Sequence, residues 1–255
     1  MSIKRYLHNR YLKYKREENI KFCENYIQNN KHLKDIIEYA NYSSESLGTD
    51  LSDYVLLYET IRQKKPQFVL ECGTGCSTFI IAQAMLDFCQ ELYGDDMRLI
   101  SMEHEQKWYE HQLSLACEKF NKFLEIHHSS QEIYAYSFVR GTTYQQFPVY
   151  PYDFVFVDGP KSDFKQRKIP RMCNISFIQV VENSEKPVSA IIDQRLNTVL
   201  AYNTLLTPGT VKFNYIWKVG IVSDVTKDDL MLLNPAKMKS LSIPQLVPSQ
   251  YKNLF

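Results

Sequence analysis

Residues 68–78 read Phe-Val-Leu-Glu-Cys-Gly-Thr-Gly-Cys-Ser-Thr. The apolar run Phe68-Val69-Leu70 suits a buried parallel strand, which carries hydrophobic side chains on both faces. Gly73 and Gly75 mark a sharp turn, since glycine takes positive φ freely and lets a ligand approach the backbone. The stretch that follows, "STFIIAQAMLDFCQELYG" from Ser77, spaces its apolar residues as a helix does, with Ser77 or Thr78 placed to cap the start. Strand, glycine turn and helix in this order make a nucleotide-binding arrangement.

Outward from this unit the alternation repeats. Strands are expected at 67–71, 97–102, 123–128, 152–157 and 188–192, with helices at 77–92, 105–120, 130–138 and 172–183. That alternation implies a parallel sheet covered on both faces. A further helix, "RLNTVLAYNTLL", ends at Pro208-Gly209. The strands "TVKFNYIW" and "KVGIVSDV" then stand too close together for a crossover and should pair antiparallel. Residues 1–65 read as a helical extension packed on the core, 66–235 as the main domain and 236–255 as a surface tail. Within the extension Leu51, Tyr54, Val55, Tyr58 and Ile61 follow steps of three and four, one stripe in need of a partner surface.

The chain has 255 residues, 44% hydrophobic and 23% charged, with a net charge of +1, so no global field argues for nucleic acid or acidic partners. The N-terminus is charged throughout, unlike a secretory leader, and no apolar run is long enough to cross a membrane. Six cysteines form no Cys-x-x-Cys pair and read as reduced, mostly buried thiols of a cytoplasmic protein. Residues 1–34 hold nine Lys and Arg against three Glu, with Tyr6, Tyr11 and Tyr14 interleaved. Such a mixture can bind RNA, although a solvated helix with its tyrosines on the core is the commoner origin.

Glu71-Cys-Gly73-Thr-Gly75, together with the strand order, resembles the first motif of the class I methyltransferases that use S-adenosylmethionine. The variant "GTGCSTFIIA" is similar to a group acting on small molecules and sugars. A dinucleotide-binding turn would carry a third glycine at position 78, where this chain has Thr. The resemblance implies a Rossmann-like, mainly parallel seven-stranded α/β sheet with an antiparallel last strand. It also implies that Gly73, Gly75, Ser77 and Thr78 lie against the cofactor, with Glu71 near its amino-acid end. Glu103 ends the second strand in "LISMEHE", where a carboxylate can accept both ribose hydroxyls. His104, and Ser129 or Ser130 after the third strand, fall where the family touches adenine.

"YDFVFVDGPKSD" ends a hydrophobic strand on Asp158 with Lys161 three residues on, and "VSAIIDQR" ends another on Asp193-Gln194. Both resemble the catechol-type O-methyltransferases, whose acids and amide at these places hold magnesium and activate a hydroxyl. This chain departs from them at Gln194, where Asn is expected. Two mechanisms stay open. In one, Asp158, Asp193 and Gln194 hold magnesium while Lys161 takes the proton; in the other an Asp takes it and no metal takes part. The segment 161–171 carries five basic residues and one acid, as a loop facing an anionic acceptor would, or merely an exposed one. The function expected is methylation of oxygen on a small molecule or sugar. The rivals are an RNA methyltransferase, a non-catalytic cofactor-binding subunit, and a reductase or aminopropyl transferase on the same scaffold.

Overall fold

The computed structural model describes residues 3–43, 51–115, 117–161 and 172–232. The expected tail, 236–255, and all but the first residue of the basic segment 161–171 lie outside them. Three helices lead the chain: α1 (Ile3–Asn29), α2 (Lys31–Ser43) and α3 (Leu51–Lys64). Strand β1 (Phe68–Cys72) follows, then α4 (Cys76–Phe88), the single turn α5 (Gln90–Tyr93), β2 (Arg98–Glu103), α6 (Gln106–Ser114) and β3 (Leu124–His128). A hairpin of β4 (Gln131–Tyr136) and β5 (Val139–Tyr144) comes next, then β6 (Phe154–Val157) and the short β7 (Cys173–Asn174). The chain continues through α7 (Ser176–Asn183), β8 (Val188–Asp193), α8 (Leu196–Leu205), β9 (Val211–Asn214) and β10 (Val219–Val225).

Seven strands form one sheet in the order β3-β2-β1-β6-β8-β10-β9, and only β10 runs against its neighbours. This is the Rossmann-like sheet expected from the sequence. Successive residues of β1 point to opposite faces, and both faces are covered, so Val69 and Leu70 are equally buried but belong to different cores. On the Val69 face α4 brings Phe79, Ile80 and Met85 against Leu99 and Phe154. The leading helices join that same core through Leu33, Ile36, Tyr58 and Ile61. On the Leu70 face lie Phe177 and Val181 of α7, Val199 and Tyr202 of α8, and Tyr136 and Tyr144 of the hairpin.

Of the stripe on α3, Tyr54, Val55, Tyr58 and Ile61 are buried, while Leu51 remains 37% exposed at the first turn. Tyr58 also donates to Asp87 Oδ2 of α4 at 2.5 Å, so the buried ring keeps a partner for its hydroxyl. On α1, Tyr11 and Tyr14 do not pack on the core, each being 56% exposed, whereas Tyr26 near the helix end does pack against it. The two exposed rings lie on a turn of helix whose charges pair locally, Lys13 with Glu17 and Lys15 with Glu18.

Two expectations from periodicity change. The helix expected at 130–138 is instead the hairpin, which with β7 makes a second three-stranded sheet in the order β4-β5-β7. Alternating Ile133, Ala135 against Tyr134, Tyr136 satisfies a strand as well as a helix, and the turn at Ser137-Phe138 has no Gly or Asn to announce it. The helix expected at 105–120 stops at Ser114 and resumes only as a 3₁₀ turn at Glu118–Phe120.

Candidate functional site

The glycine turn follows β1 and lines a cleft at the carboxyl edge of the sheet. Gly73 has φ +101°, and a Cβ there would stand 2.9 Å from Gly159 N, so the turn and the loop after β6 touch backbone to backbone. From the other side, a Cβ on Gly159 would lie 2.7 Å from Gly73 Cα. Gly75 serves differently from expectation: its φ of 171° is extended, and the nearest atom to a Cβ would be Ser77 Oγ at 3.9 Å. It offers bare backbone rather than an unusual turn. Helix α4 begins at Cys76, and Thr78 closes its first turn from within, its Oγ1 accepting from Gly75 N at 3.1 Å.

Glu71 is fully buried beneath this turn. Ser77 Oγ donates to Oε1 at 2.6 Å, and Thr78 Oγ1 and Ser101 Oγ donate to Oε2 at 2.6 Å each. Burial pushes its carboxyl up to about 7, and the three hydroxyls pull the other way by solvating the anion. Glu71, Ser77 and Thr78 thus tie β1, β2 and α4 together, and none of the three lines the cleft.

The cleft itself has a volume of about 240 Å³. Its floor is Gly73, Thr74 and Gly75; one wall is Glu103, His104 and Glu105 from the end of β2, backed by Trp108, His111 and Gln112 of α6. The opposite wall is Asp158, Gly159 and Lys161 after β6, with Arg195 after β8. Glu103 is buried, and its Oε1 accepts the backbone N–H of His104 at 2.6 Å and of Glu105 at 2.8 Å. Among the described residues its Oε2 receives only Thr74 Oγ1 at 3.3 Å, which leaves room to accept from a diol. Burial opposes ionisation here, but the bonds from His104 and Glu105 outweigh it and hold the carboxyl below its usual range. Ser129 does not share this cleft. With Ser130 it lines a neighbouring cavity of about 500 Å³ under the 145–148 segment, where its Oγ accepts from Gln146 N at 3.0 Å.

At the opposite wall the two strand-end acids do meet. Val157 and Ile192 are paired across β6 and β8, so Asp158 and Asp193, one residue further on, stand side by side at the same edge and their carboxyls influence each other. Burial pushes Asp193 up to about 8, and the charges of Asp158 and of Asp53 on α3 add to the rise. Burial also raises Asp158, against the pull of Arg195. The buried Asp193 Oδ1 has no hydrogen-bond partner among the described residues. Lys161 lines the cleft, but its ammonium pairs with Glu105.

The residue that sequence reasoning missed is Arg195. Its Nη2 stands 3.3 Å from Asp158 Oδ1 and its Nη1 donates to the Pro160 carbonyl at 3.2 Å. A basic residue directly after Asp193-Gln194 was the available signal. Trp108, His111 and Gln112 gave less, being three polar-to-aromatic positions on an ordinary amphipathic helix; Gln112 Nε2 donates to Gly75 O at 3.1 Å. These contacts do not fit a resident magnesium ion. A guanidinium already sits on Asp158, and Gln194 is exposed and outside the cleft. No three His, Cys, Asp or Glu side chains among the described residues converge to hold a metal.

No protein-family model matches the chain, and no curated protein matches it. Solved structures do match in fold. The O-methyltransferase TomG from Streptomyces achromogenes, involved in tomaymycin synthesis and solved in complex with SAM, is 16% identical with a TM-score of 0.51. The match covers 82% of this chain and 96% of that one. A methyltransferase from Geobacter sulfurreducens is 14% identical over 77% of this chain and 90% of its own, at a TM-score of 0.44. An O-methyltransferase from Bacillus cereus in complex with SAH is 15% identical over 69% and 71%, at 0.42. The first of these shows a shared fold across nearly the whole of its length. The other two scores carry no argument.

Proposed function

We propose that this protein is an S-adenosylmethionine-dependent methyltransferase acting on a hydroxyl of a small-molecule acceptor. The observation that carries the reading is the cleft: a turn with bare backbone at Gly73 and Gly75 faces a buried, ionised Glu103 with one oxygen nearly unclaimed. A carboxylate so placed suits the two hydroxyls of a ribose, and the open backbone at Gly75 suits close approach of a nucleoside. The fold shared with a methyltransferase solved with SAM supports the same cofactor over a dinucleotide.

When bound, S-adenosylmethionine supplies a methyl group on a sulfonium, which is already a good leaving group. The chain's part is therefore to orient the acceptor and take up its hydroxyl proton. Asp158, at the cleft wall, is the residue we assign to accept that proton, and Arg195 holds its carboxylate in place. Lys161, paired with Glu105, fixes the loop after β6 against the end of β2. His104, beside Glu103, is the residue proposed to border the base. No helix among the described residues is long and apolar enough to cross a membrane, and six free cysteines suit a reducing compartment such as the cytoplasm.

Thermal denaturation in the presence of S-adenosylhomocysteine tests the reading. Binding to the folded state alone should raise Tm. Glu103→Ala should weaken that binding by about 1–3 kcal/mol, because two ligand hydroxyls lose a charged acceptor. Stabilisation by NADH greater than by S-adenosylhomocysteine would overturn the assignment.

A further inference from the structure

We infer that the guanidinium of Arg195 is a built-in substitute for a divalent cation at the paired carboxylates of Asp158 and Asp193, so that the site works without a metal ion. The inference rests on the methyltransferase reading for what the site does, but its physical basis is independent of it. Two carboxylates brought together at neighbouring strand ends need a positive charge close by. Here the charge is covalently supplied. Arg195 follows Asp193 by two residues, and Gln194, at φ +28°, turns the chain between them. Its two terminal nitrogens are both engaged, one on Asp158 Oδ1 and one on the Pro160 carbonyl.

Those two engagements matter because they spend the oxygens a small hard cation would need. Magnesium demands six oxygen ligands near octahedral positions. Asp158 Oδ1 and the Pro160 carbonyl are already accepting from Arg195, and the amide of Gln194 is exposed outside the cleft. A dication approaching Asp158 would also stand against a permanent positive charge, since a guanidinium does not deprotonate in proteins. The other cation in the cleft, Lys161, is committed to Glu105 and leaves the carboxylate pair to Arg195. Arg195 is thus a positioning residue: it fixes the Asp158 carboxylate at the cleft wall and sets the charge of the pair, and no chelator can remove it.

The test is a titration of manganese(II), followed by the paramagnetic resonance signal of the free ion. It uses the full chain as wild type, Arg195→Gln and Arg195→Gln/Asp193→Asn. Wild type should bind manganese only weakly and no better than Asp158→Asn does. Arg195→Gln should bind one ion about tenfold or more tightly than wild type, because the carboxylate pair has lost its cation, and the double variant should lose that gain. A wild-type site that binds one ion tightly and loses it in Asp158→Asn would overturn the inference whether or not Arg195→Gln folds. So would a folded Arg195→Gln that gains nothing. The titrations are run with and without S-adenosylhomocysteine. Failure to bind that nucleoside counts against the methyltransferase reading alone, since the manganese result does not depend on it.

Discussion

Glu71 has partners in the fold that its place in the sequence does not announce. An acid at the end of a buried strand, just before a glycine turn, signals a site from sequence alone. What the sequence does not show is that Ser77, Thr78 and Ser101 converge on that carboxylate, because Ser101 comes from a strand thirty residues away. The acid is a brace under the turn, and its removal should be felt as lost stability. Glu71→Ala should destabilise by about 2–4 kcal/mol, since three buried hydroxyls lose their acceptor and a cavity is left. Glu71→Gln, which keeps the shape and one acceptor, should cost clearly less. Urea denaturation of both variants checks this, and equal losses would refute the brace. Arg195 is the converse case. Nothing in "IIDQR" tells an exposed arginine from one folded back onto the preceding strand's acid, and only the turn at Gln194 decides it.

At the scale of elements, strands β1, β2, β6 and β8 were legible because burial on both faces leaves continuous apolar runs that end on polar residues. The antiparallel closing pair was legible for a different reason, the lack of room for a crossover. The hairpin was not. Its strands alternate residues of similar hydropathy, and its turn uses Ser137 at φ +55°, a conformation in which glycine is the usual signal. That same choice makes a prediction. Ser137→Gly should stabilise the chain by about 0.5–1 kcal/mol, since a side chain at positive φ is strained and glycine is not. A urea midpoint that falls instead would mean that the Ser137 side chain contributes more than its backbone costs. The site suffered from the same limit as the hairpin. Residues on strand ends were found, whereas Trp108, His111 and Gln112, presented sideways by α6, carried no pattern of their own.

For the whole molecule, two buried acids set a common pH dependence. Glu71 is raised to about 7 and Asp193 to about 8, both from ordinary values near 4. A carboxyl raised by folding contributes fully below its unfolded pKa and loses that contribution as pH climbs through its folded one. Stability should therefore fall between roughly pH 4 and 8, from the unfolded pKa of these acids to the folded one. Glu71→Gln and Asp193→Asn should each flatten part of that slope in calorimetric Tm measured across the range. A Tm that climbs over the same interval would contradict both assignments. The strand order carries a consequence of another kind. β9 precedes β10 in the chain but lies outside it in the sheet, and among the described residues its only strand neighbour is β10. On the ribosome, β8 must wait with a bare edge, and β9 has nothing to pair with, until residues 219–225 emerge and slide between them. The sheet is thus finished from the inside, by nearly the last described stretch to be synthesised, and an unfinished chain carries an open edge able to capture a strand from a neighbour.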